Sequence, residues 1–122
     1  MRKTSLIAGV GLLLLLVGCR QRITDFTVLS TKNFDLSRTD EFTRHPNRVF
    51  GEDKVHLILY FPTGRYNLKE AIDNAIEKVP GGVAIVDGVV SKYGWWGILY
   101  GQLAIQVEGV VLVDPADPAV RN

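Results

Sequence analysis

The N-terminal segment constrains this chain most, because it determines how much of the sequence is left to form a domain. Met1-Arg2-Lys3 precedes an apolar run from Leu6 to Val17, and the small residue Gly18 follows it directly. A basic start, a short apolar run and a small residue before a cleavage site are typical of a secretory signal peptide. The run is shorter than the about 20 residues that a membrane-spanning helix needs. We therefore expect residues 1–18 to be a signal peptide that is removed.

The end of this segment, Leu16-Val17-Gly18-Cys19, resembles the lipobox of bacterial lipoproteins. The resemblance implies cleavage between Gly18 and Cys19, a diacylglycerol on the Cys19 sulfur and an acylated new N-terminus. A covalent lipid such as palmitate on Cys19 is then expected, and no other cofactor. The alternative is an ordinary secretory signal that ends in an unrelated cysteine. A retained membrane helix is less favoured, because Arg20 and Arg22 end the apolar run.

Cysteine count and charge limit the rest of the chain. Cys19 is the sole cysteine, so no internal disulfide can form. Removing residues 1–18 takes Lys+Arg from 14 to 12, against 13 Asp+Glu, so the mature chain is nearly neutral. A neutral chain has no electrostatic field to attract nucleic acid. It has no polybasic patch for anionic lipid either, so the lipid on Cys19 would have to hold it at the membrane.

Hydrophobic periodicity predicts the elements of one domain. The helix prediction covers Asn67–Val79, because apolar residues recur at helical spacing, Asn67 is a suitable N-cap and Glu70 completes a capping box. Four strands are predicted, at 25–36, 55–61, 83–91 and 98–107, and a bulge or turn at Glu108-Gly109 separates the last from a final segment at 110–113. The 55–61 strand is apolar on both faces and is expected to be covered on both. We predict a solvated loop over 37–54 and a hairpin tip or tight connection at 92–97.

Together these elements predict an α+β fold: a small, mainly antiparallel sheet with one helix packed on one face, in the order β-β-α-β-β. The predicted division is residues 1–18 signal peptide, 19–24 short tether, 25–113 single domain and 114–122 disordered tail. A short tether would keep the domain close to the bilayer surface.

The sequence contains no phosphate-binding loop, nucleophile elbow or metal-ligand spacing, so we predict no catalytic residues, no metal and no enzyme. Asp87, beside Gly88 in a strand, could be catalytic, a hydrogen-bond partner or part of a bulge, and we favour the structural roles. An enzyme would need Asp87, His56 or His45 and another polar group within hydrogen-bond reach of one another.

The best candidate for an interaction surface is an aromatic group. Tyrosine and tryptophan favour the wet edge of a bilayer and protein interfaces, because one end is apolar and the other forms hydrogen bonds. The alternative is that the two tryptophans only cover the end of the core. The group consists of Tyr93, Trp95, Trp96 and Tyr100.

A wider resemblance covers most of the mature chain. The runs D-F-T-V-L-S-T-K-N-F-D-L-S, N-L-K-E-A-I-D-N-A-I-E-K-V, V-D-G-V-V and W-W-G-I-L-Y-G-Q with V-E-G are similar to the TRL-like and related families of small bacterial lipoproteins. This resemblance implies a small exported α+β domain. It brings no established activity.

Two functions follow as expectations. The first is a lipid-anchored structural or interaction module of the bacterial cell envelope, held by its lipid and able to bind an envelope protein. In lipoproteins of two-membrane bacteria, Arg rather than Asp after the cysteine implies outer-membrane sorting, so Arg20 favours the outer membrane, facing the periplasm. The second is a periplasmic small-molecule-binding domain that uses the loop 37–54 and the aromatic segment 93–100.

Overall fold

The computed structural model describes residues 3, 4, 7–9 and 17–121, so most of the predicted signal peptide lies outside the described residues. Along the chain lie β1 (Val17–Leu29), a 3-10 helix (Leu36–Glu41), β2 (Thr43–Ile58), β3 (Phe61–Pro62), α1 (Leu68–Ile76), β4 (Gly82–Trp96), β5 (Tyr100–Val113) and a second 3-10 helix (Pro118–Val120). Within the described ranges, no helix has the length and apolar character needed to span a membrane.

The five strands form one antiparallel sheet in the order β1-β4-β5-β2-β3. Two of the neighbouring pairs are hairpins, with turns at Leu59-Tyr60 and at residues 97–99. One row of paired residues crosses the whole sheet through Val17, Trp96, Gly101, Leu57 and Pro62. The start of β1 therefore lies at the same end of the sheet as both hairpin turns.

Two bulges bend the sheet beside the same part of β5. On β4, Asp87-Gly88 takes the place of one residue opposite Gly109, and Asp87 has a φ of 51°. On β2, residues 45–47 take the place of one residue opposite Val111. A bulge bends its strand and increases the local twist, so this pair helps to curl the sheet into a half-barrel. The prediction that Asp87 belongs to a bulge is confirmed.

The predicted helix is confirmed, with its apolar stripe facing the sheet, but it ends at Ile76 and not at Val79. The Asn67 side chain accepts a hydrogen bond from the Lys69 backbone N–H at 2.9 Å and so caps the first turn. The apolar stripe is buried against the sheet, where it meets residues such as Ile85, Val107 and Val111. Its buried residues within the helix are Ala71, Ile72, Ala75 and Ile76.

Small residues let α1 lie very close to β2. An added Cβ on Gly51 would stand 2.1 Å from the Ala71 carbonyl oxygen and 2.3 Å from the Ala75 backbone nitrogen. Three hydrogen bonds also join the helix region to this strand. They run from Asn67 N to Asp53 Oδ2 at 2.7 Å, from Asn74 Nδ2 to Glu52 O at 3.0 Å, and from Lys78 Nζ to Phe50 O at 2.6 Å.

The predicted fold class, a small sheet with one helix packed on a face in the order β-β-α-β-β, is wrong. Of the residues that the structure describes, 54% lie in strands and 21% in helical segments, so this part of the molecule is mostly antiparallel sheet curled into a half-barrel with little helix. The strands are much longer than predicted, since β2 has 16 residues and β4 has 15. Pairing between distant strands extends them through polar residues that break the hydrophobic alternation.

Two local predictions fail for the same reason. The stretch 37–54, predicted as a loop, holds most of the first 3-10 helix and most of β2. The segment 92–97, predicted as a hairpin tip or tight connection, lies mainly in β4. Residues 19–24, for which a tether is predicted, lie within β1, and residues 114–121 of the predicted tail include a turn and a 3-10 helix.

Candidate functional site

Cys19, the predicted lipid-attachment residue, lies in the edge strand β1 directly opposite Gly94 of β4. Gly18 pairs with Trp95 and Arg20 with Tyr93, so the predicted cleavage position sits inside a paired strand. The Cys19 thiol is free and the residue is exposed. The predicted anchor and the predicted aromatic segment are therefore neighbours, which the sequence alone did not indicate.

The four predicted aromatic residues lie on two sides of the sheet. Successive residues of a strand point to opposite sides. Trp96 shares a side with Val90, which packs in the core with α1, and we call this the inner side. Tyr93 and Trp95 face the opposite, outer side. Tyr100 joins them there, since its ring meets that of Trp95 edge-on at 5.6 Å.

Tyr100 is held at the centre of a small outer-side cluster. Its ring stacks on His56 of β2 at 5.7 Å. Its hydroxyl forms a hydrogen bond with His56 Nδ1 and accepts another from Gln102 Nε2 at 3.1 Å. Because β2, β4 and β5 each supply a member, the cluster fixes the ring next to the hairpin turns.

Tyr93 belongs to a different outer-side group. Its hydroxyl donates a hydrogen bond to Glu52 Oε2 at 2.9 Å, and Lys54 Nζ lies 2.8 Å from Glu52 Oε1. Partial burial would raise the pKa of Glu52, but the hydrogen bonds from Lys54 and Tyr93 outweigh it, so this pKa lies below its ordinary value. Burial and the bond to Glu52 raise the pKa of Tyr93.

An open groove lies on the inner side, beside the segment that leads into α1. It has a volume of about 270 Å³ and is mainly apolar. Residues that line it include Cys19, Gln21, Tyr66, Lys92, Trp96 and Leu103. A second groove of about 380 Å³ shares Tyr66 and Leu103 with the first. The predicted binding loop at 37–54 contributes no lining residue to either groove.

Among the described residues, no hydrogen bond joins Asp87 to His45 or to His56. Asp87 Oδ2 accepts a hydrogen bond from Arg44 Nη1 at 2.6 Å in the bulged region. His45 lies in the β2 bulge, but His56 lies near the other end of β2. At about 3.3 Å per residue, the strand between the two histidines spans roughly 30 Å. No three His, Cys, Asp or Glu side chains lie close enough to hold a metal ion in the part of the chain that the structure describes.

Sequence analysis missed the exposed apolar residues at the end of the sheet. Residues 55–61 were predicted as a strand covered on both faces, yet β2 ends at Ile58 and the next three residues are exposed. The groove residues Tyr66, Lys92 and Leu103 were missed as well. Only the turn had a local signal in the sequence. The apolar residues of β2 continue beyond its last residue, Ile58, through Leu59-Tyr60-Phe61-Pro62.

No protein-family model matches this sequence, and neither the curated proteins nor the solved structures include one that is detectably similar to it. The resemblance to the TRL-like lipoproteins therefore stays a prediction from the quoted motifs.

Proposed function

We propose that this chain is a lipid-anchored module of the bacterial cell envelope, attached through Cys19 and acting as a structural or interaction domain. The observation that carries this proposal is the position of Cys19. It follows the basic and apolar segment and Gly18 in the sequence, and it lies exposed at the beginning of β1.

The position of the strand is compatible with cleavage before Cys19. Removal of residues 1–18 would take only Val17 and Gly18 from β1. The remaining strand would still pair with β4 from Cys19 to Leu29. Maturation would thus leave the sheet intact and put the acylated residue at its edge. Three acyl chains on this residue would hold the chain stably, since one chain alone binds only marginally.

The test is the intact mass of the protein from the membrane fraction, beside a Cys19→Ala variant. We expect the mass of residues 19–122 plus acyl chains, and the variant should lack this form. A cleaved chain without acyl groups in the soluble fraction would overturn the proposal. Separation of inner and outer membranes then tests the sorting that Arg20 implies, with Arg20→Asp expected to move the protein to the inner membrane.

A second candidate function is binding of a small apolar molecule. The inner-side groove favours it, because the groove is concave, mainly apolar and lined by a few polar groups, as ligand sites are. A fluorescent fatty-acid analogue would test it. Leu103→Trp, which fills the groove, should abolish binding, and Leu36→Trp, an exposed residue of the first 3-10 helix, should not. Equal binding by both variants would rule the groove out.

A further inference from the structure

The two hairpin turns carry a continuous group of exposed apolar side chains, which we call the apolar rim. Exposed fractions within it range from 41% for Tyr100 to 77% for Phe61. Large apolar patches of this kind mark contact with a membrane or a partner. The rim consists of Ile58, Leu59, Tyr60 and Phe61 of the β2–β3 hairpin, and of Trp96, Ile98, Leu99 and Tyr100 of the β4–β5 hairpin.

The two hairpins form one surface. Ile58 pairs with Tyr100, and beyond this pair the Leu59 backbone N–H donates a hydrogen bond to the Leu99 carbonyl at 3.1 Å. The stretches 57–62 and 94–101 contain no charged residue. With strands about 4.8 Å apart, the four strands of the two hairpins span roughly 14 Å. The rim therefore presents an uncharged edge along four of the five strands.

The β2–β3 turn keeps its apolar residues against local preference. Leu59 and Tyr60 have φ values of 49° and 69°. A two-residue hairpin turn with two positive φ values favours Asn-Gly, because bulky side chains are strained there. Residues that break such a rule are expected where function requires them. A turn that is strained, exposed and apolar indicates selection for contact with an apolar phase.

The last residue of the N-terminal apolar run lies at the same edge. This residue, Val17, pairs with Trp96 of the rim, and Cys19 pairs with Gly94. No flexible linker would separate the membrane from the sheet, whether the chain is held by acyl groups on Cys19 or by the uncleaved apolar run. Either attachment brings this end of the sheet to the bilayer surface.

We propose that the apolar rim inserts into the interfacial region of the lipid bilayer and fixes the orientation of the domain there. This inference rests on the proposed membrane attachment at Cys19. A lipid bilayer is the contact that fits the rim best. The chain would enter the bilayer beside the rim, and the rim has no charged side chain that insertion would have to desolvate. Tyr60 and Trp96 suit this depth, since their rings are apolar and their polar atoms can reach water and headgroups. The Tyr100 ring is apolar too, and its hydroxyl is hydrogen-bonded to His56 and Gln102.

Depth-dependent fluorescence quenching tests the insertion on the full chain. The anchored protein is reconstituted in phosphatidylcholine vesicles with and without brominated acyl chains. Trp95→Phe leaves Trp96 as the sole tryptophan, which is excited selectively over tyrosine. The reference carries Trp95→Phe, Trp96→Phe and Leu36→Trp, which places the fluorophore on the segment beyond the far end of β1. Brominated lipid should quench Trp96 several-fold more than the Leu36→Trp reference, and Trp96 emission should be shifted to the blue.

A paired substitution gives the control. Phe61→Ser with Leu99→Ser should reduce the quenching of Trp96 toward the reference. Val28→Ser, at a residue of β1 that is 52% exposed outside the rim, should not change it. Circular dichroism checks that each variant remains folded. The contrary result is that Trp96 and the reference are quenched equally in protein whose mass shows acyl groups. That result would overturn the insertion of the rim and would leave the proposed lipid anchor unaffected.

Failure of the Cys19 anchor can be distinguished from failure of the rim. A cleaved chain without acyl groups would overturn the Cys19 anchor. The same quenching measurement, made on that chain after it is mixed with the vesicles, would still decide the rim, because Trp96 quenched no more than the reference would overturn it. If a protein partner or a second copy covers the rim instead, Trp96 stays unquenched in vesicles of the anchored protein, and the proposal is wrong.

Discussion

Replacement of Gly51 by alanine should destabilise the protein, although the same change elsewhere in a strand usually has the opposite effect. Alanine in a strand interior is normally better than glycine by about 0.5–1 kcal/mol. At Gly51, however, the new Cβ would stand 2.1 Å from the Ala71 carbonyl oxygen, 2.3 Å from the Ala75 nitrogen and 2.8 Å from the Ala75 Cα. These are backbone atoms of α1, so no side-chain rotation can relieve the contact.

The magnitude follows from the distance that the helix must move. Carbon atoms pack best about 3.5–4.0 Å apart, so α1 has to lift by roughly 1 Å. Burial contributes about 1.5–3 kcal/mol for each of Ile72 and Ile76. A gap of about 1 Å forfeits up to about half of the attraction at each contact. The loss is therefore about 1–3 kcal/mol, which matches the usual effect of overpacking a core.

Thermal unfolding of the full chain in detergent, followed by circular dichroism, measures this effect. For a domain of this size, about 2 kcal/mol corresponds to a melting temperature roughly 10 °C lower. Gly64→Ala is the matched control, because its added Cβ would meet only Val55 Cγ1 at an ordinary 3.8 Å. A Gly51→Ala protein as stable as the wild type would refute the close contact between α1 and β2.

Three further variants test other parts of the structure. Tyr93→Phe removes the hydrogen bond to Glu52 and should lower the free energy of unfolding by about 0.5–1.5 kcal/mol. Tyr60→Gly relieves a positive φ that costs about 1–2 kcal/mol, so it should raise the melting temperature while weakening Trp96 quenching by brominated lipid. Hydrogen bonds from Lys69 and Thr31 lower the pKa of Asp73 below 3.8. The free energy of unfolding of the wild type should therefore fall as the pH drops from that value toward the folded pKa. Asp73→Asn should reduce the slope of the unfolding free energy against pH in acid titrations.

Each of these variants has a clear contrary result. Unchanged stability of Tyr93→Phe would mean that the bond to Glu52 contributes nothing. A lower melting temperature for Tyr60→Gly would contradict the positive φ at that position. An unaltered acid slope in Asp73→Asn would show that other carboxylates carry the pH dependence.

The sequence by itself determined the features that depend on neighbouring residues. Helix α1 is encoded by a stripe at a period of 3.6 and by the Asn67 cap, and both act within a few residues. The Asp87-Gly88 bulge is local in the same sense, since these two residue types tolerate the required backbone. The order of basic, apolar and small residues before Cys19 is also a local pattern, and the signal peptide that it indicates stays a prediction.

Tertiary pairing decided everything that joins distant parts of the chain. The length of β2 comes from its partner β5, because its own polar stretch gives no alternation. The separation of Trp95 from Trp96 follows from their alternation in β4, and the strand was not predicted to reach them. Leu59 and Leu99 meet only because two hairpins end in the same row as Val17. Hydrogen bonds across a sheet join residues far apart in sequence, and no local pattern contains them.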